Sequence, residues 1–173
     1  MAEDKKYAFL MVEYGVPDII REIQESIDKS ELYGDPERPD DFGLELMPHV
    51  TLAACLDNDT DTGKLFKMLR PLHDYRAMLT NVSIFDNELY DVLKCDVASD
   101  ILHASNSEIL SVYPSHSEFK EYHPHMTVAY LNKGASKRHL IDMLTPLVLI
   151  EPVSFVYSNW TDGGKTKKTI KFS

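Results

Sequence analysis

The string Pro-His-x-Thr-apolar-Ala occurs twice, as Pro48-His49-Val50-Thr51-Leu52-Ala53 and as Pro124-His125-Met126-Thr127-Val128-Ala129. A histidine and a threonine two apart on an extended segment point to one face, and the apolar residues around them to the other. Each copy therefore reads as a strand that buries one side and offers an imidazole and a hydroxyl on the other. His125 lies 76 positions after His49, somewhat under half of the 173 residues, and similar local elements surround both. The chain reads as internally duplicated: one two-lobed domain over 1–173, with approximate repeats 1–80 and 81–173.

Strand and helix signals alternate in matching order around the two copies. Residues 7–12 form an apolar strand, and Pro17 opens a helix marked by Ile19, Ile20, Ile23 and Ile27 at helical spacing. The stretch from Tyr33 to Met47, rich in Asp, Pro and Gly, is a loop long enough to cover a substrate. The first motif strand, His49 to Leu56, precedes a helix carrying Leu65, Met68, Leu69 and Leu72. Met78 to Phe85 and Leu89 to Val97 form a hairpin about Asp86-Asn87-Glu88. Ser99 caps a helix with Ile101, Leu102, Ile109 and Leu110, and the second motif strand runs from Met126 to Leu131. A last helix from Ser136 through Leu140, Ile141 and Leu144 stops near Pro146, followed by strands at 147–150, 153–157 and through Ile170 and Phe172. This order specifies an α+β fold, a duplicated two-lobed sandwich whose antiparallel sheets line a central cleft with helices packed outside. The ligand belongs in that cleft.

A net charge of −10 argues against a broad basic face for duplex nucleic acid, since such binding needs many cationic phosphate contacts. A short anionic ligand remains compatible, and the tail from Gly163 to Lys171 gathers Lys165, Lys167, Lys168 and Lys171. These lysines read either as guards of a solvated edge strand or as contacts to a second phosphate. The charged N-terminal stretch is no signal peptide, and no apolar run reaches membrane-spanning length, so a cytoplasmic address is expected. Cys55 and Cys95 sit in apolar, strand-like surroundings and read as free thiols.

Paired histidines suit phosphodiester cleavage. One group must take a proton from the attacking hydroxyl or water and another must give one to the leaving oxygen. With ordinary pKa values near 6.5, one imidazole can be neutral while the other is protonated. Thr51 and Thr127 would donate hydrogen bonds to the non-bridging oxygens, and no cofactor or metal is required. Two rival readings use the same residues: a metal-dependent hydrolase with His49, His123 and His125 as ligands, and a non-catalytic binder of a nucleotide messenger. His73, His103, His116 and His139 lack partners at useful spacing.

Paired His-x-Thr-apolar motifs on duplicated lobes resemble the 2H phosphoesterase superfamily, which includes LigT-like RNA ligase/cyclic phosphodiesterases and viral 2′,5′-oligoadenylate phosphodiesterases. The resemblance implies that His49 and His125 are the acid/base pair and that Thr51 and Thr127 bind phosphate. The substrate it implies is a 2′,3′-cyclic phosphate or a linear or cyclic oligonucleotide. The run Glu121-Tyr122-His123-Pro124-His125-Met126-Thr127-Val128-Ala129-Tyr130 is similar to phage anti-CBASS enzymes, which cut the cyclic oligonucleotide signals of bacterial defence in host cytoplasm. The family also stacks bases on aromatic residues, which makes Tyr14 the leading candidate, followed by Tyr130, Phe85 and Trp160, with Lys165 as a charge for a flanking phosphate.

Overall fold

Eight strands and three α-helices stand among the described residues of this computed structural model, which are 6–69, 74–135, 137, 139 and 147–171. In chain order they are β1 (Ala8–Glu13), α1 (Asp18–Glu25), β2 (His49–Leu56), α2 (Thr62–Leu69), β3 (Ala77–Asp86) and β4 (Tyr90–Ala98). Then follow α3 (Asp100–Val112), β5 (His125–Asn132), β6 (Val148–Ile150), β7 (Ser154–Thr161) and β8 (Gly164–Lys171). Of the helix expected from Ser136 to Pro146 all but Lys137 and His139 lies outside the described residues, as do Leu72, His73 and Phe172. No helix among the described residues is long and apolar enough to cross a membrane.

The strands join in the order β6-β3-β4-β5-β2-β1-β7-β8, every neighbouring pair antiparallel. The α+β architecture is as expected, with one refinement: the two lobes are the two ends of a single sheet. Strands β2, β1, β7 and β8 make one end and β5, β4, β3 and β6 the other. They meet at the motif strands through one register pair, Val50 with Met126.

Both motif strands carry the same irregularity. Pairing of β2 with β1 slips between Thr51 and Ala53, and pairing of β5 with β4 slips between Thr127 and Ala129. The extra residue, Leu52 or Val128, faces the core together with the alanine after it, and all four are at most 2% exposed. A bulge that turns two consecutive side chains inward needs a small second residue, and it bends the strand beside the site. The repeated alanine is thereby explained.

Beyond its contact with Val50, the free edge of β5 is filled by the loop expected to cover substrate. Leu32 and Leu44 form isolated bridges to Leu131 and Ala129, and Glu45 N donates to Val128 O at 3.0 Å. This segment closes the gap between the diverging motif strands.

The helices cover one face of the sheet. Ile20 and Ile23 of α1, Leu65, Phe66 and Leu69 of α2, and Leu102 and Ile109 of α3 enter a core shared with Leu10, Val12, Val50, Met126 and Leu93. Ser99 caps α3, its Oγ accepting from Leu102 N at 3.3 Å. Asn106, on the buried side of α3, donates from Nδ2 to the carbonyl of Leu52 at 2.8 Å, so the helix is pinned to the bulge. Cys55 and Cys95 are free.

Replacing Asn106 by Ala leaves the Leu52 carbonyl buried without its donor, and should cost about 1–3 kcal/mol of stability. Urea unfolding of the two proteins measures this; an unchanged midpoint would show that the tether does not hold the bulge.

Candidate functional site

The motif histidines and threonines share the sheet face opposite the helices. Val50, Leu52, Met126 and Val128 are fully buried, while His49, Thr51, His125 and Thr127 between them are partly open. Continuing the Val50–Met126 register one residue each way sets Thr51 across from His125 and His49 across from Thr127. Facing side chains of an antiparallel pair stand about 5 Å apart at Cβ. The four residues expected to form the site are thus brought together around one junction.

Each histidine is fixed in the same way. His49 Nδ1 lies 2.9 Å from the carbonyl of Met47, and His125 Nδ1 lies 2.8 Å from the carbonyl of His123. A carbonyl only accepts, so in the neutral imidazole the proton sits on Nδ1 and Nε2 is left as the reactive nitrogen. The intervening proline carbonyls enter the ladder instead, Pro48 O accepting from Tyr14 N and Pro124 O from Val97 N.

The surroundings of the two histidines match in part. Glu13 stands across from His49 in β1 and takes a 2.7 Å hydrogen bond from Ser154 Oγ. Asp96 stands across from His125 in β4 and takes a 2.7 Å hydrogen bond from Ser83 Oγ. The symmetry breaks at the threonines: Met11 faces Thr51, and Lys94 faces Thr127.

Lys94 went unrecognised in the sequence. Its side chain is buried, with Nζ 2.6 Å from both Ser83 Oγ and Asp96 Oδ1 and 4.4 Å from the centre of the Phe85 ring. The available signal was parity, because Lys94 and Asp96 alternate with Leu93, Cys95 and Val97 and so share one face. Burial pushes the pKa of His125 down. The charges of Lys94 and His49 act the same way, against the bond to the His123 carbonyl and the charge of Asp96.

Of the other expected residues, Phe85 reaches the site, edge-on to His125 with ring centres 4.8 Å apart. Tyr130 lies further along the same face, in a ring cluster with Phe42 and Tyr90. Tyr14 does not reach it: the residue is 6% exposed, inside the core, and its hydroxyl donates to Tyr75 O at 2.8 Å. Strand alternation is the reason, since Tyr14 follows Glu13 and shares the parity of Leu10 and Val12. Trp160 and Lys165 face each other at the far end of β7 and β8. They are six residues from the row of Ser154, Glu13 and His49, about 20 Å along the strand. Lys171, paired with Ser154, is the tail lysine in that row, and Lys168 turns to the helix side, where Nζ lies 2.9 Å from Thr62 Oγ1.

His123 does not join His49 and His125 as a third ligand. Its side chain is 72% exposed, with Nε2 3.2 Å from Glu121 Oε2. Among the described residues, no three His, Cys, Asp or Glu side chains are grouped to hold a metal ion.

Comparison with known proteins bears on this arrangement. The family model described as the 2′-5′ RNA ligase superfamily matches residues 15–159, a span that contains both motifs. The chain belongs to that superfamily. Its members, the 2H phosphoesterases, are hydrolases acting on phosphodiester and cyclic phosphate bonds. No curated protein matches the chain.

Solved structures agree in fold. Kluyveromyces marxianus Usb1 with uridine monophosphate shows 13% identity and a TM-score of 0.58, over 96% of this chain and 98% of that one. TT0787 of Thermus thermophilus shows 18% identity and a TM-score of 0.51, over 95% of each chain. Escherichia coli LigT complexed with ATP shows 17% identity and a TM-score of 0.51, over 96% of this chain and 95% of that one.

Replacing Lys94 by Met removes a cation beside His125, so the imidazolium becomes less costly and the His125 pKa should rise. Proton NMR titration of the ring signals reads the change. A pKa that stays put or falls would remove Lys94 from the electrostatics of the site.

Proposed function

We propose that this 2H phosphoesterase cleaves a 2′,3′-cyclic phosphate or an oligonucleotide linkage, with His49 and His125 dividing the proton transfers and Thr51 and Thr127 holding the phosphate. The matched tether carries the reading. Each imidazole has Nδ1 tied to the carbonyl two residues earlier, so that both Nε2 atoms are available on the same open face.

His125, held toward its neutral form by burial and by Lys94, takes the proton of the attacking water or ribose hydroxyl as the new O–P bond forms. His49 gives its Nε2 proton to the leaving oxygen as the old P–O bond breaks, and solvent then returns both groups to their starting forms. Thr51 and Thr127 donate to the non-bridging oxygens where charge grows. The Lys94 ammonium adds positive field from the Thr127 side, and the Phe85 ring walls the His125 side. Cyclic oligonucleotide signals of antiviral defence, met in the host cytoplasm, form the narrower substrate class within this proposal. The net charge of −10 suits a short ligand over duplex nucleic acid.

His49→Ala and His125→Ala should each lower kcat about 100- to 10,000-fold. Thr51→Val and Thr127→Val should each lower it about 100-fold. Mass analysis of products from 2′,3′-cyclic nucleotides, linear 2′,5′ and 3′,5′ oligonucleotides and cyclic di- and trinucleotides gives the readout. The acidic limb of kcat/KM should fall below the ordinary histidine range, because the His125 pKa is lowered. Turnover that survives loss of both histidines, or ligand recovered intact from the wild-type protein after long incubation, would overturn the proposal.

A further inference from the structure

The outer half of β2 is held through its carbonyls by residues from α3 and from the segment 113–122 that leads to the second motif. Thr51 O accepts from the Tyr122 hydroxyl at 3.1 Å and Leu52 O from Asn106 Nδ2 at 2.8 Å. Ala54 O then accepts from Ser115 Oγ at 2.7 Å, and Cys55 O from His116 N at 2.9 Å. The segment before the first motif does the same for β5, where Tyr33 N donates to Tyr130 O and Glu45 N to Val128 O, both at 3.0 Å. Each motif strand is thus seated against the segment that precedes the other.

Tyr122 is the donor nearest the site. Pro48 O points to β1, where it accepts from Tyr14 N, and strand carbonyls alternate in direction, so Thr51 O points the other way, toward β5. Among the described residues β2 and β5 pair only at Val50 and Met126, so this carbonyl faces the gap that opens between them. A phenol is long enough to reach across from a segment that does not itself join the sheet. The Tyr122 ring lies perpendicular to that of His103 in α3, with centres 5.2 Å apart, which restricts where the hydroxyl can go. Burial pushes the phenol pKa up, so the hydroxyl keeps its proton and donates throughout the range in which histidines titrate.

The place of Tyr122 in the chain gives this bond its meaning. Tyr122 directly precedes His123, whose carbonyl holds Nδ1 of His125. At its other end the bond meets the backbone of Thr51, the residue set across from His125. One hydrogen bond therefore joins the segment that orients the histidine to the peptide that carries the threonine. Thr51 is the freer of the two: it stands where β2 slips against β1, whereas His125 pairs with Asp96 ahead of the slip in β5.

We propose that Tyr122 is a positioning residue for the phosphate site, its hydroxyl holding Thr51 at the distance from His125 at which the threonine meets a non-bridging oxygen. The proposal deepens the phosphodiesterase reading and rests on it for the role of Thr51. Asn106 secures the next peptide from α3, so Tyr122→Phe loosens Thr51 without releasing the strand.

Tyr122→Phe keeps the ring and its packing on His103 and removes only the donor. Displacing a reacting group by about 1 Å can cost on the order of 100-fold in rate. With the smaller shift that loss of one hydrogen bond allows, kcat should fall about tenfold with KM unchanged, because the threonine acts most where charge grows. In the Thr51→Val background, where the hydroxyl to be positioned is gone, Tyr122→Phe should cost less than about twofold, while the Thr127→Val background should keep the full loss. A purely structural tyrosine would lower activity alike in both. An unchanged kcat in the single variant, or an equal loss in the two backgrounds, would overturn the assignment. The NMR methyl signal of Thr51 reads the same contact without turnover: it should move in Tyr122→Phe while that of Thr127 stays in place. A wild-type protein that turns over no substrate, with the Thr51 signal moving, sinks the phosphodiesterase reading and keeps the tether. Full turnover with a stationary Thr51 signal sinks the tether alone.

Discussion

The meeting of β2 and β5 at Val50 and Met126 is the constraint on which the rest of the site depends. Both residues are fully buried, and their antiparallel register fixes which side chains confront one another on the opposite face. A slip of one residue would turn an imidazole into the core and a valine or methionine toward solvent, at the cost of a buried polar ring and a lost apolar contact. One pair suffices because the two strands separate immediately afterwards. The bulges at Leu52 and Val128 bend them, and the segment from Leu32 to Glu45 occupies the space that opens.

The six-residue repeat can now be accounted for position by position. The proline has no N–H to give to a ladder, and it holds the residue before it extended. The carbonyl of that preceding residue is then available to accept from the imidazole, while the proline's own carbonyl continues the sheet. The histidine and threonine face the site, the residue between them faces the core, and the last apolar residue with its alanine forms the bulge. Each position serves either the tether, the site or the curvature.

The elements with strong local signals were legible in the sequence: the motif strands, the β3–β4 hairpin, the Ser99 cap and the faces of α1 and α3. Family, fold class and the grouping of His49, Thr51, His125 and Thr127 followed from the repeat. What failed was placement that depends on register between distant strands. Position at the end of β1 points Tyr14 to the cleft, although counting parity from Leu10 and Val12 sends it to the core. Trp160 and Lys165 share the right face but stand too far along β7 and β8, a distance set by pairing that local sequence does not encode. Lys94 reads locally as one polar residue in a hydrophobic strand. Its meaning comes from Ser83 in β3, Thr127 in β5 and the ring of Phe85, and no local pattern joins those residues.

The two motif strands make two similar half-sites, and the proposed catalysis by two histidines needs them to differ. A symmetric pair would hold two imidazoles of equal basicity, with nothing to direct the proton. Here the carboxylates are alike, Glu13 beside one histidine and Asp96 beside the other, each bonded by a serine. The cations are not: Asp96 is neutralised by the buried Lys94, and the matching position across from Thr51 is Met11. The fixed positive charge of Lys94 disfavours a second proton on His125, while in the other half Glu13 faces His49 with no such cation across from Thr51. In the proposed mechanism, lysine across from Thr127 and methionine across from Thr51 are the difference that gives a near-symmetric scaffold a direction for proton transfer. It does so without altering the backbone frame that the repeat imposes.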